Sequence, residues 1–533
     1  MNNLIIDFSE KPEIGIPIGA LSIISFLKKK KISFEYSNLS LEIIKFLKNK
    51  KNLIKLSKDL TQLNHKLKKI TDKIIILILK RFIEKTIKTS KKKKIFESRI
   101  WIIYSIFVKN LSQVINIKHN DYYVNSISLL YFFLKKSSIN KKLIKILLNK
   151  KKIINKFKKL NKSKIIAFSI TYNHQWNTII EIVKIIKRIN PVIKIVIGGN
   201  AVQENYNLKN ITKKHFKYID YFILNEGEIA LYKLVNSKYE NIKNIPNLLY
   251  FDKKNNKMIL NKLNYIPNLN ILPKPNYNLF LSKYDKSNKI FDTILYEDSR
   301  GCKWNKCSFC SQVKKNIKNP YRSKSIDKII ADIKKIIKET KIKNICFIND
   351  YMPVEIAVEL SKELIKNKIN IKWGTLINFE KGWNKKNLRL IKKAGCTSIR
   401  AGLESGNQNI NDKICKGVNI KEAQQIIKFA NKIKLEVIIT TIMGFPMETF
   451  FQALDTIKFI EKNLKYINYI VIFNFLLVPY SEMQLNFQKF NIKEINKKSF
   501  KYQDKRLSKI FINILRISYV LFTNLRYQKK ILV

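Results

Sequence analysis

Three cysteines lie close together near the middle of the chain. Cys302, Cys307 and Cys310 fall within nine residues, directly after an apolar, strand-like run. Thiolates are preferred ligands of both iron–sulfur clusters and structural zinc. A loop this short is able to bring three thiolates to one cubane and leave its fourth iron open. A zinc site would need a fourth ligand, and the sequence offers neither a second CxxC pair nor paired His residues. Unligated thiols are the remaining alternative.

The other cysteines carry no ligand spacing. Cys346, Cys396 and Cys415 fall in a predicted strand or beside helix ends, so we interpret them as buried or idle thiols. Six cysteines in 533 residues do not make a disulfide framework. The first residues show no basic stretch followed by an apolar one, and no apolar run reaches the roughly 18 residues of a spanning helix. We therefore expect a soluble protein of the reducing cytoplasm, without a transmembrane segment.

The chain is strongly basic, with a formal net charge of +65. Only ten of its 104 basic residues are Arg, the residue that nucleic-acid readers use for bidentate contacts. The lysines are spread over every segment and do not form one stripe. This pattern indicates a solvated surface, with a functional basic face as the alternative. A nucleic-acid partner is not expected.

The N-terminal half alternates strands and helices around an insertion. The expected segments are a βαβ opening over 1–40, a Lys- and Ile-rich helical insertion over 41–159, resumed alternation over 160–245 and a proline-containing linker over 246–289. The two alternating stretches must complete each other's core, so we predict one doubly wound sheet formed by both.

The C-terminal half predicts a second α/β domain. Over 290–485, six strand-like runs alternate with helices, namely Thr293–Glu297, Asn344–Ile348, Ile371–Ile377, Ser398–Leu403, Leu435–Met443 and Tyr469–Val478. This spacing is typical of βα units in a parallel barrel, whose chemistry gathers at the carboxyl ends of the strands. Residues 486–533 are basic and predicted to be helical.

The cysteine segment resembles a known signature. Ser299-Arg300-Gly301-Cys302 through Ser308-Phe309-Cys310 looks like the loop of the radical S-adenosylmethionine (SAM) superfamily, whose usual pattern is CxxxCxxC with an aromatic residue before the last cysteine. Phe309 fits that pattern, whereas the Cx4CxxC spacing has one extra residue. The resemblance spans about 290–485 and implies a partial (β/α)6 barrel. It also implies a [4Fe–4S] cluster, and SAM bound at its open iron and cleaved to a 5′-deoxyadenosyl radical.

The same resemblance implies further cofactor contacts at successive strand ends. Asp350 lies where the family contacts the methionine part of SAM, and Glu404, followed by Ser405, lies where a carboxylate binds the ribose hydroxyls. Gly444 lies in the segment that lines the adenine, where glycine permits close backbone approach. For each residue alone, a helix cap or turn role is the alternative.

The N-terminal half resembles the cobalamin-binding domain of one radical SAM class. Small or hydroxyl-bearing residues end its predicted strands, where backbone has to approach a nucleotide tail; they are Ser169, Thr171, Gly198 and Gly199. The DxHxxG loop of cobalamin mutases is missing, and His174 does not lie in its place. The resemblance therefore implies cobalamin without a histidine ligand to cobalt, and we predict that these residues line a cleft.

Together these features favour a cobalamin-dependent radical SAM methyltransferase. Its substrate would be a peptide or a small specialised metabolite, and its electron donor a protein such as flavodoxin or ferredoxin. A radical SAM cyclase or oxidoreductase without methyl transfer is the second hypothesis. A basic iron–sulfur protein that binds nucleic acid or a partner is the third. A tRNA methylthiotransferase is less favoured, because the N-terminal half lacks a second cysteine triad.

Overall fold

The computed structural model divides into two compact units, one of residues 1–206 with 210–264 and one of residues 207–209 with 265–533. The structure describes residues 3–7, 17–38, 46–65, 70–88, 100, 165–282, 292–310, 321–492, 510–519 and 531–532. Within these ranges, no helix combines the length and apolarity needed to cross a membrane.

The first unit contains one seven-stranded sheet. Its strands are β1 (Asn3–Asp7), β2 (Phe34–Asn38), β3 (Ile165–Ser169), β4 (Lys194–Gly198), β5 (Tyr221–Ile223), β6 (Leu248–Asp252) and β7 (Lys257–Leu260). The order is β2-β1-β3-β4-β5-β6-β7, and the first five strands are parallel. Since β1 pairs with both β2 and β3, the predicted single sheet from the two separated stretches is confirmed.

Six helices of the first unit are described. They are α1 (Ile18–Lys29), α2 (Lys50–His65), α3 (Ile70–Lys88), α4 (Trp176–Ile189), α5 (Asn200–Asn207) and α6 (Glu228–Asn236). The helices α2 and α3 belong to the predicted insertion, whose residues 101–159 lie outside the described ranges. Leu53 and Leu60 of α2 and Ile83 of α3 share one buried cluster with Phe168 of β3. The described part of the insertion therefore adds to the core of this unit.

The predicted linker differs from the structure in its first half. Residues 248–260 form the hairpin β6–β7, which pairs antiparallel with β5, the last of the parallel strands. Leu248, Leu249 and Tyr250 are buried, and such side chains stabilise a strand against a sheet. The prolines that suggested a linker flank this hairpin, so the first unit extends to residue 264.

The second unit is built on an all-parallel sheet. Its strands are β8 (Thr293–Tyr296), β11 (Asn344–Phe347), β12 (Lys372–Ile377), β13 (Cys396–Glu404), β14 (Glu436–Met443), β15 (Tyr469–Asn474) and β16 (Ile531–Leu532), while β9 (Ser299–Arg300) and β10 (Arg322–Ser323) form a separate antiparallel pair. The sheet order follows the chain from β8 to β16. The six predicted strands are confirmed within about two residues, except for the end of β15; β16 was not predicted.

The connecting helices begin at residues that favour helix starts. The helices of this unit are α7 (Asn278–Leu281), α8 (Ile326–Thr340), α9 (Val354–Lys366), α10 (Lys385–Lys393), α11 (Gln408–Lys413), α12 (Ile420–Lys432), α13 (Phe450–Asn463), α14 (Glu482–Leu485) and α15 (residues 510–519). In α8, the Ser325 hydroxyl accepts the Lys328 amide, and Ile326, Ile329 and Ile333 follow at helical spacing and are buried. Such helices cover the sheet and leave the strand ends to carry the site.

Candidate functional site

The cysteine loop, residues 301–310, follows the first strand of the parallel sheet. It begins directly after β9, and the Cys310 amide donates to the Cys307 carbonyl at 3.3 Å. Cys307 is buried, while Cys302 and Cys310 are half-buried. The three thiols therefore belong to one short loop at the carboxyl end of β8, as the sequence predicts.

Contacts from three other segments fix this loop. The Ser308 amide donates to the Ile414 carbonyl at 3.0 Å, and the Ser308 carbonyl accepts the Met483 amide at 2.9 Å. Phe309 packs edge-on against Phe445, with ring centroids 5.6 Å apart. The aromatic residue of the predicted signature thus packs in the apolar cluster around Phe445.

Trp304 lies within the Cx4C spacing and contacts the segment 415–417. Its indole Nε1 donates to the Cys415 carbonyl at 2.9 Å. The ring lies on Gly417, where an added Cβ would come within 2.1 Å of it. A glycine with φ of +69° is therefore required at this contact.

Burial controls the protonation of the thiols. It raises the pKa of Cys307 to about 12, against the opposing charge of Lys416 and with added repulsion from Cys310 and Cys302. Burial also raises the pKa of Cys302, although the backbone amides of Asn305 and Trp304 donate to its sulfur. The thiols interact electrostatically, so they share one environment. Ligation would have to displace their protons.

The donor set of the cysteine loop consists of three thiols, the ligand type of iron–sulfur clusters. Among the described residues, no three His, Cys, Asp or Glu side chains are close enough together to hold one metal ion. A [4Fe–4S] cluster instead takes each thiolate on a different iron, so its ligands stand farther apart. Amide donors to the Cys302 sulfur are the kind of contact that such clusters accept. Shared ligation by the three sulfurs stays a prediction.

Asp350 follows β11 and lies near the loop. Burial raises the pKa of its carboxyl to about 6, and the charge of Glu297 adds to the effect. Its charge in turn acts on Cys302. Asp350 is thus an acidic group beside the cysteine loop, and its contact with SAM stays a prediction.

Glu404 ends β13 at an irregular position. The pairing with β14 shifts between Gly402 and Glu404, and the Glu404 φ is +59°. Its Oε1 lies 3.0 Å from the Lys416 ammonium, and both side chains are largely buried. Ribose binding by Glu404 stays a prediction, and one of its oxygens already pairs with a cation.

Ser405 has a structural role. Its hydroxyl lies 3.2 Å from the Thr456 hydroxyl and accepts the Asn407 amide at 3.1 Å. The residue is fully buried. These contacts correspond to the turn role that the sequence left open, and a cofactor contact by Ser405 stays a prediction.

Gly444 directly follows β14 and has a φ of +88°. Its amide donates to Oε2 of Glu448, a buried carboxylate four residues later. A left-handed turn at this strand end suits glycine. The predicted adenine contact is compatible with this turn and stays a prediction.

The sequence did not reveal Lys416, Trp304 or Glu448. Burial alone would lower the pKa of Lys416, but the charges of Glu404, Cys307 and Cys310 outweigh it and raise that pKa. Trp304 had one available signal, since it lies inside the extra length of the loop. Lys416 had none, because nothing distinguishes it from the many other lysines of the chain.

In the first unit, the predicted residues end two neighbouring strands. Ser169 ends β3 and pairs in register with Gly198, which ends β4. Thr171 is exposed just beyond β3, and its amide donates to the Gln175 side chain at 2.9 Å. The structure therefore brings these residues to one edge of the sheet.

Position 199 requires glycine because of its backbone conformation and its close neighbours. With φ of +105°, an added Cβ would lie 2.2 Å from the Ile170 carbonyl oxygen. Gly198 and Gly19 are different, because a Cβ at either would meet its nearest neighbour at 3.6 Å, an ordinary contact. Gly19 is exposed, and its nearest neighbour is the Ser169 hydroxyl oxygen. The small residues Ser169, Gly198 and Gly19 fit a ligand that approaches the sheet edge closely.

Comparison with known proteins places these features in a family context. Residues 296–460 match the radical SAM superfamily. An uncharacterized methyltransferase of Pyrococcus horikoshii is 30% identical over 288 residues, which is 53% of this chain and 60% of that protein. An uncharacterized protein of Methanocaldococcus jannaschii is 24% identical over 66% of this chain and 73% of its own length. The chain thus spans about 60% of the Pyrococcus relative.

Two solved structures share the fold. The cobalamin-dependent SAM radical enzyme OxsB, with aqua-cobalamin and SAM bound, covers 98% of this chain and 67% of its own, with a TM-score of 0.59 and 13% identity. The radical SAM methyltransferase TsrM of Kitasatospora setae covers 90% of this chain and 74% of its own, with a TM-score of 0.56 and 11% identity. The cysteine loop and strands β11 to β14 lie inside the segment, residues 296–460, that matches the radical SAM superfamily.

Proposed function

We propose that this protein is a radical SAM enzyme, with a [4Fe–4S] cluster on Cys302, Cys307 and Cys310, that uses cobalamin to methylate an unactivated carbon. The observation that carries the proposal is the place of the cysteine loop. It lies at the carboxyl end of β8, inside the matched domain, and the other predicted contacts lie at later strand ends. In a parallel α/β sheet these ends converge on one site.

The chain's own residues have distinct tasks in this proposal. When bound, the cluster and cobalamin would supply the electron that cleaves SAM to a 5′-deoxyadenosyl radical and the methyl group for transfer. Asp350 and Glu404 would orient SAM through its polar groups, and Phe309 would hold the loop against the apolar cluster. The turn at Gly444 would admit a flat base beside backbone. Positioning of this kind is the protein's part in cofactor chemistry.

Support for cobalamin comes from the first unit and from the relatives. Ser169 and Gly198 end neighbouring parallel strands, where α/β sheets bind ligands. The OxsB structure is described as cobalamin-dependent, and a TsrM structure as having cobalamin and a [4Fe–4S] cluster bound. The Pyrococcus relative is named a methyltransferase. A peptide or a small specialised metabolite is the proposed substrate class.

An acidic electron carrier such as flavodoxin or ferredoxin is the proposed reductant. Lys303 and Lys306 are exposed on the cysteine loop, beside the thiols that would hold the cluster, and Lys303 also pairs with Glu355. Positive charge at this surface would attract a negatively charged carrier.

The test is anaerobic reconstitution with iron and sulfide, followed by incubation with SAM, cobalamin and dithionite. We expect about four irons per chain, an electron paramagnetic resonance (EPR) signal after reduction, and 5′-deoxyadenosine by mass spectrometry. Replacing Cys302, Cys307 or Cys310 by Ala should lower deoxyadenosine formation about 1,000-fold or more, because an incomplete ligand set does not hold an open cubane. Cys346→Ala is the matched control, since Cys346 is a half-buried thiol outside the loop.

The outcomes separate the alternatives. Deoxyadenosine without cobalamin uptake would favour a radical SAM cyclase or oxidoreductase. Iron uptake without SAM cleavage, together with nucleic acid retained at moderate salt, would favour the basic iron–sulfur binding protein. Equal loss of activity in the Cys346→Ala variant would contradict the assignment of the three ligands.

A further inference from the structure

The lysine turn, residues 414–417, is tied to the cysteine loop on both sides of Lys416. The Ile414 carbonyl accepts the Ser308 amide, and the Cys415 carbonyl accepts the Trp304 indole. The Trp304 ring then covers Gly417. These contacts come from the segments on either side of Cys307. The position of Lys416 is thereby fixed relative to the thiols.

The Lys416 side chain turns into the protein and not toward solvent. Only 14% of it is exposed, and its ammonium lies 3.0 Å from Glu404 Oε1. A Cβ added at Gly402 would lie 2.2 Å from that oxygen and 2.9 Å from the ammonium. Gly402 therefore leaves the space that the ion pair fills. The backbone amide of Lys416 donates to the Asn411 carbonyl at 3.0 Å, which fixes the start of the side chain.

The ammonium belongs to a turn that is hydrogen-bonded to the cysteine loop through the carbonyls of Ile414 and Cys415. Its charge interacts with Cys302, Cys307 and Cys310. A largely buried charge is screened little by solvent, so it acts more strongly than a surface lysine at a similar distance. Burying an ion pair costs desolvation energy, which makes this arrangement a poor source of stability by itself. A role toward the neighbouring thiolates explains its presence better.

We infer that Lys416 is a positioning residue that holds a fixed positive charge beside the cluster thiolates and raises the reduction potential of the bound cluster. This inference rests on the proposed cluster. One electron from an external donor takes the cluster from the 2+ to the 1+ state, with no bond or proton transferred. The reduced state carries one more negative charge, so a nearby ammonium favours it. Glu404 partly offsets that charge.

The test is a redox titration of the reconstituted protein without SAM, followed by EPR. Lys416→Met should move the midpoint potential to a more negative value, whereas Lys416→Arg should keep most of the native value. Lys306→Met is the matched control. It removes the same charge next to Cys307 from an exposed side chain, so its shift should be much smaller.

Glu404→Gln should shift the midpoint potential of the cluster in the opposite direction. Removing the carboxylate charge while keeping the size of the side chain should move the midpoint to a more positive value. A packing defect would move both variants in the same direction, and that result would overturn the inference. If Lys416→Met fails to retain iron, the Glu404→Gln variant alone tests the inference. A shift of its midpoint to a more positive value supports the inference, and any other result overturns it.

Two further outcomes are distinguishable. If the native protein assembles no cluster, the proposed function fails and this inference fails with it. If the native protein assembles a cluster, and Lys416→Met titrates at the native potential but loses affinity for SAM, the lysine serves the SAM carboxylate and only this inference falls.

Discussion

The two units differ in which of their helices begin with a side-chain cap. In the second unit, side chains accept backbone amides at the starts of α8, α10, α11, α12, α13 and α14. In the described part of the first unit, α1, α4 and α6 begin at Pro17, Gln175 and Gly227 without such a bond. The start of α2 has one, because the Asn49 side chain accepts the amides of Lys51 and Asn52 at 3.0 and 3.3 Å. Capping by side chains therefore occurs in both units.

The residues at the carboxyl ends of the strands also differ between the two units. The second sheet ends in thiols and buried acids, including Cys307, Asp298 and Glu404. In the first sheet, β3 and β4 end in the small residues Ser169 and Gly198, while β1 and β2 end in Asp7 and Asn38. Side chains with charge and sulfur suit a metal cluster and SAM, whereas small residues suit a bulky ligand that needs space. The contrast supports two cofactors of different kinds in one chain.

The largest effect should come from filling the space in the first unit. Gly19→Trp places an indole at the start of α1, next to Ser169, and should lower cobalamin retention at least tenfold while SAM cleavage continues. Cobalamin is measured by its absorption after gel filtration. Gly19→Ala is the control, because its Cβ would make only an ordinary contact 3.6 Å from the Ser169 oxygen.

Gly199 would not serve for this experiment. A side chain there would meet the Ile170 carbonyl at 2.2 Å in a left-handed backbone conformation, so the variant would report on folding. Equal cobalamin binding by Gly19→Trp and the native protein would contradict the proposed place of the ligand.

Much of the fold, but less of the site, was predictable. Alternation of apolar runs and helices predicted the strands because strand periodicity is local, and Cys302 to Cys310 lie together in sequence. The pair Glu404–Lys416 was not predictable, since it depends on a shifted register in β13 and on Trp304, more than 100 residues earlier. The hairpin β6–β7 was hidden by flanking prolines, and β16 by its two-residue length.

A smaller effect concerns the pH dependence of stability, which should differ between a buried acid of the second unit and a more exposed acid of the first. Burial raises the pKa of Asp298 from 3.8 to about 6, against the Asn349 hydrogen bond and the Lys324 charge. The folded state then binds more protons than the unfolded state between these values, so the unfolding free energy falls as pH rises from about 4 to 6. Asp298→Asn should remove this slope and add at most about 3 kcal/mol at pH 7.

The measurement is native-state hydrogen exchange of the β11 to β13 amides at several pH values, which reports on the second unit separately. Asp252 provides a contrast in the first unit. It is only partly buried, and hydrogen bonds led by the Asn255 side chain lower its pKa. The ionised Asp252 carboxylate therefore stabilises the folded state at neutral pH, and this stabilisation is lost in acid. Asp252→Asn should reduce the unfolding free energy at pH 7. Changes of the same sign for both variants would contradict this difference between the units.

The smallest effect concerns the helix caps themselves. The Asn419 side chain accepts the amides of Lys421 and Glu422 at 3.0 and 3.1 Å at the start of α12. Asn419→Ala should destabilise the second unit by about 1 kcal/mol, seen as faster exchange of α12 amides. Asn419→Asp keeps the acceptor and adds a charge that the helix start favours, so it should retain stability. The Ala variant should leave exchange in α1 and α4 unchanged, because those helices lie in the other unit. An unchanged α12 would mean that packing, including that of the buried Ile427 and Ala430, holds this helix and that its cap adds no stability.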